Sequence, residues 1–166
     1  MTTTTVTTDY FQVQLYSSST ATELLAQTKL LVPLGDMAEI ITVQRREICP
    51  LPGVPRGVAG VLNLRGQLIW VTDLRMVQPR QQGTQQQSLN PQEKVTIVLI
   101  QSDQGQIGCL VATLQGITTG VPSELLTVTP KLKAYYPFGL GQLVLADGTM
   151  GIVLDTAALI RYLQSV

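Results

Sequence analysis

What most limits the fold of this chain is its rhythm: apolar residues come in short runs, most of them bounded by Gly, Pro, Asn or Asp. Tyr10–Tyr16 (YFQVQLY) sets Phe11, Val13 and Leu15 on one face and Gln12 and Gln14 on the other, the pattern of a half-buried strand. Leu30–Leu34 reads as a strand that Pro33 directs to a sheet edge or a bulge. Met37–Val43 reads as one helical turn and then a strand. Gly57–Arg75 reads as two apolar strands folded back on each other at Arg65-Gly66. Val95–Ile100 and Ile107–Ala112 flank a short glycine-bearing loop, SDQGQ. Gln142–Asp147 and Met150–Asp155 flank Asp147-Gly148-Thr149, a second hairpin turn. Two segments read as helices. One is Glu23–Thr28, with Thr20 and Glu23 at capping-box spacing. The other is Thr156–Gln164, capped by Asp155, with Leu159, Ile160 and Leu163 on one face. Roughly eight to ten short strands with so few helices favour barrels or a sandwich over a parallel α/β sheet.

At 166 residues, 45% of them apolar and 13% charged, the chain has the core for one domain or for two small ones sharing it. Eleven basic and eleven acidic side chains cancel, and no single-sign run occurs. Phosphate binding needs a Lys/Arg footprint, so nucleic acid is not an expected partner. No apolar run approaches the ~20 residues of a membrane helix, so direct membrane insertion is not expected either. The N-terminus, MTTTTVTTDY, lacks the basic and apolar regions of a secretory signal and reads as a frayed tail over residues 1–8. Cys49 and Cys109 stand far apart in motifless settings, which with the missing signal predicts a cytoplasmic protein without a disulfide scaffold. Residues 79–92, PRQQGTQQQSLNPQ, read as a polar glutamine-rich loop.

The chain contains no histidine. That excludes Ser-His-Asp and Cys-His catalysis, His-bearing zinc sites and phosphohistidine relays. Two scattered cysteines cannot make a Cys₄ site. Gly139 and Gly141 precede a strand instead of a helix, so they offer no aligned amides to a phosphate. Asp73, Asp103, Glu124, Asp147 and Asp155 fall at strand ends, turns or a helix cap, where carboxylates have structural roles. The residues therefore predict no enzyme, no metal and no cofactor.

Leu51–Arg75 (LPGVPRGVAGVLNLRGQLIWVTDLR) resembles the signature of the CheW family of bacterial chemotaxis adaptors. The matching elements are a proline-rich approach, Gly60, Asn63-Leu64-Arg65-Gly66, a β-run and Asp73-Leu74-Arg75. Pro33–Ile41 (PLGDMAEII) and Tyr136–Asp155 (YPFGLGQLVLADGTMGIVLD) resemble two further family segments, and the likeness runs from about Asp9 to Leu163. It implies a mainly β fold of two packed five-stranded SH3-like barrels. Residues 9–166 would form a single CheW-like domain, one barrel built from about 30–77, the other from about 95–154 with the N-terminal strand, and 79–92 connecting them. The segment Ser17–Lys29 is longer than the family's usual turn.

The resemblance also implies a function: a non-catalytic adaptor coupling chemoreceptors, or photoreceptor-type receptors, to a CheA-type histidine kinase in a motility or taxis pathway. Its partners would be that kinase's regulatory domain and the cytoplasmic tip of a methyl-accepting chemoreceptor, at membrane receptor arrays. The alternative is a small-ligand sensor or enzyme using the groove between the barrels, which needs convergent polar groups in a concave pocket. Arg65 has a bland reading as an exposed hairpin tip and, by resemblance, a contact reading that suits a planar guanidinium fork. Asn63 and Leu64 flank it. Gly60 reads as a bulge or a close backbone approach, and by resemblance lies near the kinase contact. Met37 and Glu39 match interface positions of the family, Met37 reading as core when taken alone. Ile40 and Ile41 read as buried, one per face, with one lining the groove where an amphipathic receptor helix would dock. Trp70 reads as a core or barrel-rim residue.

Overall fold

A computed structural model describes residues 4–16, 23–76 and 90–164, and within them eleven strands form two sheets. In chain order the strands are β1 (Thr8–Gln14), β2 (Thr28–Pro33), β3 (Met37–Gln44), β4 (Ile48–Cys49), β5 (Val58–Leu64) and β6 (Gln67–Thr72). They continue with β7 (Lys94–Ser102), β8 (Gly105–Val111), β9 (Thr113–Gly120), β10 (Gly139–Val144) and β11 (Met150–Leu154). Three helices complete the fold: α1 (Glu23–Gln27), α2 (Pro130–Tyr135) and α3 (Thr156–Gln164). One sheet has the order β3-β7-β8-β6-β5-β4, the other β10-β11-β2-β1-β9. The first is a continuous stretch of chain inserted into the second; we call them the inserted and the enclosing sheet.

Each sheet curls around a core of its own. Inside the inserted sheet lie Ile48, Leu62, Ile69, Val71, Ile97 and Leu99, with Ile41, Val43 and Leu64 packed against them. Inside the enclosing sheet lie Tyr10, Leu31, Leu143, Leu145 and Val153. A third and larger core joins the two, and it includes Val13, Leu30, Val98, Ile100, Ile107, Ile152, Leu154 and, from α3, Leu159 and Ile160. The strands at this junction are apolar on both faces because each face meets a core. In β7, Ile97 and Leu99 point into the inserted barrel and Val98 and Ile100 into the shared core. In β2, Leu31 faces one core and Leu30 and Val32 the other. Alternation, which marks a strand with one wet face, is therefore absent where burial is deepest. The mainly β fold and its paired small barrels are as expected, with five strands in one sheet and six in the other. The sixth is the two-residue β4.

Three expectations need correction. The sheets do not divide at the glutamine-rich segment: β7 and β8 belong with β3–β6, and β2 belongs with β1 and β9–β11. Strand patterning identifies a strand without identifying its neighbours, and β8 pairs parallel with β6, a choice made by packing. Second, Pro33 does not put β2 at an edge. β2 runs between β11 and β1, and Pro33 is its last residue, opposite Tyr10, where a missing N–H costs the ladder least. Third, β9 and α2 had no periodicity to announce them. β9 (TLQGITTG) is largely exposed on both faces, and α2 (PKLKAY) buries one residue, Leu132, behind a proline at its first position.

The closing helix forms as its sequence dictates: Asp155 Oδ1 accepts the Ala158 N–H at 3.0 Å, capping α3. Helix α1 spans nearly its expected residues, whereas Thr20, the expected cap, and nearly all of 79–92 lie outside the described residues.

Candidate partner-binding site

The site grows out of the hairpin β5–β6. Leu64 pairs with Gln67, leaving Arg65 and Gly66 as a two-residue loop. Both have positive φ, 50° and 85°, the conformation of a type I′ turn, whose twist matches that of the flanking strands. Arg65 is the only non-glycine with positive φ among the described residues. Asn63 stabilises the turn, its Oδ1 accepting the Gly66 N–H at 3.0 Å. A β-carbon-bearing residue in this conformation is disfavoured, so the arginine is held there by the rest of the structure.

The Leu64–Gln67 pairing holds the backbone, and Glu39 holds the side chain. Arg65 donates from both terminal nitrogens to the two carboxylate oxygens, the Nη1–Oε1 distance being 3.2 Å. Three strands separate β3 from β5 in the sheet, so the contact forms only because the sheet curls until its first strand meets the hairpin tip. Glu39 shares a strand face with Ile41 and Val43, which pack inside the barrel, and so stands at the rim. The hydrogen bonds hold its carboxyl below the usual glutamate range and raise the Arg65 guanidinium above its own. Both groups remain in contact with solvent, and the arginine side chain is 68% exposed. The pair fixes the direction of a planar cation while leaving one of its flanks open.

The other expected site residues divide. Leu64 and Ile41 are half-buried against the inserted barrel's core, and Met37 against the shared core. Ile40 is a correction: it was expected buried, and it is 36% exposed, on the face of β3 opposite to Glu39, Ile41 and Val43. Gly60 is buried and serves its own fold. A β-carbon there would lie 2.2 Å from the Cys49 carbonyl oxygen, so the room left by the absent side chain is filled by the Cys49–Pro50 backbone. A register break between Val58 and Gly60 accompanies the close approach. The motif's end, Asp73-Leu74-Arg75, is also inward. Asp73 is buried, its Oδ1 accepting from Arg75 N and Nε at 3.1 and 2.9 Å and its Oδ2 from Nη2 at 2.6 Å. Leu74 packs in the shared core beside them.

Leu68 was not foreseen at this site, and Trp70 was read as core or rim. They lie on the outer face of β6, opposite Asn63 and Val61, and are 73% and 42% exposed. In QLIWVT both strand faces are apolar, so alternation could not say which one was dry. They add exposed apolar surface to the hairpin that carries the oriented charge of Arg65.

The void lined by Leu30, Leu74, Tyr136, Phe138 and Leu154 holds about 10 Å³, far below a metabolite. A wide-open depression of about 510 Å³ lies elsewhere, lined by Thr42, Val43, Gln44, Arg46, Glu47 and Lys94. Among the described residues no three His, Cys, Asp or Glu side chains cluster as metal ligands, and no helix is long and apolar enough to cross a membrane.

Comparison with known proteins agrees with this architecture. In a crystal structure, the scaffolding protein TtCheW from Thermoanaerobacter tengcongensis shares the fold with a TM-score of 0.62 at 15% identity, over 91% of this chain and 86% of that one. No curated protein matches the chain. The model of the CheW-like domain matches residues 23–164, a span that takes in the whole inserted sheet, the enclosing sheet apart from β1, the Arg65–Glu39 pair and the buried Asp73–Arg75 pair. The chain belongs to the CheW-like domain family.

Proposed function

We propose that this chain is a non-catalytic adaptor that couples chemoreceptors to a CheA-type histidine kinase in a taxis pathway. The observation that carries the reading is the Arg65–Glu39 pair. It is an exposed, bidentate, directionally fixed guanidinium on a strained turn, inside a domain whose family model covers residues 23–164. Strain of this kind at an exposed position is typical of residues held out for a partner. Arg65, Asn63, Glu39 and Ile40 form the contact surface, and Leu64, Ile41, Met37 and Gly60 shape it from beneath. The partners are the kinase's regulatory domain and the receptor's cytoplasmic tip, so the adaptor works in the cytoplasm at receptor arrays. Residues 9–166 act as one module, because the shared core leaves neither barrel able to bury its surface alone.

The test is titration of the full chain with the regulatory domain and with a receptor-tip fragment from the same genome. Binding to both is expected in roughly the micromolar range, as for transient interfaces of modest area. Arg65→Ala should weaken at least one of the two, and binding to neither partner would overturn the reading. A groove-bound metabolite is disfavoured by the small volume, about 10 Å³, of the void beside Leu74 and Tyr136.

A further inference from the structure

A sheet edge presents N–H and C=O groups that have no partner strand, and folded proteins blunt such edges by a few recognisable means. The two sheets have four edges: β3 and β4 in the inserted sheet, β9 and β10 in the enclosing one. Three are blunted. β4 is two residues long and runs into Pro50, which has no N–H. β3 has a register break between Met37 and Glu39 and carries the Arg65–Glu39 ion pair there. β10 has a break between Gly139 and Gly141, and beyond it Gln142 exchanges two backbone hydrogen bonds with Leu126, at 2.8 and 3.0 Å.

β9 differs. Its one irregularity lies where Gly116 and Leu114 pair with the consecutive residues Gln12 and Val13. From there Gly116–Gly120 pairs residue for residue with Thr8–Gln12 on one side, and no strand among the described residues pairs on the other. The eight residues Thr113–Gly120 include no charge, no proline and no lysine. Ile117 is 60% exposed, and a β-carbon added at Gly116 would meet nothing within 4 Å.

We propose that the β9 edge is an interaction surface for a second copy of this chain, the two β9 strands pairing antiparallel about a twofold axis. Unpaired backbone donors and acceptors select an extended strand. The lack of any charge on the edge selects an uncharged strand rich in β-branched residues, and Gly116–Gly120 is itself such a strand. Antiparallel self-pairing brings no like charges together and sets the two Ile117 side chains near each other across the new ladder. The two enclosing sheets then continue as one. Five residues per edge make a contact smaller than a standard interface, so self-association appears only at high protein concentration. β9 shares no residue with the Arg65 hairpin, and the two proposals stand or fall separately.

Sedimentation equilibrium of the full chain over a wide concentration range tests this, alongside Ile117→Lys, which places a lysine on the exposed edge, and Arg65→Ala. The expected result is a mass rising toward twice the monomer for the natural chain and for Arg65→Ala, with association weakened about tenfold or more by Ile117→Lys. A monomeric mass throughout would overturn the proposal, as would self-association that Ile117→Lys leaves unchanged. Should circular dichroism show that Ile117→Lys misfolds, amide exchange of the natural chain decides. Protection of β9 amides that grows with concentration supports the pairing, and protection independent of concentration refutes it.

Discussion

Glu39 and Arg65 are twenty-six residues apart in the chain and three intervening strands apart in the sheet, yet their side chains meet end to end in two hydrogen bonds. Exposed ion pairs contribute little to stability, so this one matters for where it aims the guanidinium.

The turn conformation makes that separable by experiment. Arg65→Ala keeps a β-carbon at φ 50°, and Arg65→Gly relieves the backbone strain while removing the same charge. The expected melting temperature of Arg65→Ala lies within about 3 °C of the natural chain, and that of Arg65→Gly equals or exceeds it. Both should lose about tenfold or more in affinity for the partner that reads the site. Calorimetric melting and titration of the two variants check this; a large drop in melting temperature for both would make Arg65 a structural residue.

Gly60 is expected to behave in the opposite way. In Gly60→Ala the new methyl would collide with the Cys49 carbonyl, and the two-strand bulge would have to open. A loss of roughly 3 kcal/mol is expected in urea unfolding, with any fall in partner binding explained by the unfolded fraction. Binding lost at full stability would place Gly60 in the interface itself.

The Asp73–Arg75 pair is the inward counterpart of Glu39–Arg65. Its carboxylate is buried, whereas the Arg75 side chain keeps about a quarter of its exposure. Asp73→Ala leaves the guanidinium without its main acceptor in the shared core. A destabilisation of about 2–4 kcal/mol is expected, the lower end reflecting that partial exposure. Equilibrium denaturation measures it, and a change under about 0.5 kcal/mol would mean that solvent already serves Arg75.

Alkali should expose the same core. Burial first, and then the negative Asp73, push the Cys109 thiol up to about 12, and the Tyr16 hydroxyl likewise to about 12. In the unfolded chain both ionise lower, near 9 and 10. The folded state therefore holds protons that the unfolded state releases, and stability, full below about pH 9, declines from there to about pH 12. Melting temperatures from pH 7 to 11 follow this loss. Cys109→Ala should remove the earliest part of the decline and leave the part due to Tyr16, and an unchanged profile would show that the thiol is not protected by burial.

How far the sequence disclosed this molecule depends on what each residue touches. Val13 and Leu15, like Leu159 and Ile160, are buried where periodicity places them, since polar residues mark the other face of each segment. Arg65-Gly66 was legible as a bend, but the positive φ at Arg65 was not, because it follows from the Leu64–Gln67 register, which leaves a loop of only two residues. Ile40 was read as buried because hydrophobicity does not report how completely a neighbouring element covers a side chain. Glu39 and Arg65 each followed from the family likeness, and their contact did not, since it depends on the curl of a sheet. Sheet membership of β7 escaped for the related reason that both of its faces are dry.

The insertion of one sheet inside the other has a bearing on how the protein is made. Every strand of the inserted sheet has been made once Val111 is added, and its own core, from Ile41 to Leu110, can close as soon as that segment clears the ribosome. β1 and β2 were made first, yet their outer neighbours, β9 and β11, come last. The first strands of the fold to be made are thus the ones that wait longest for their partners, with Tyr10 and Leu31 uncovered until β10 and β11 arrive. Folding in the cell should proceed from the middle of the polypeptide outward, and the two ends should be what chaperones find.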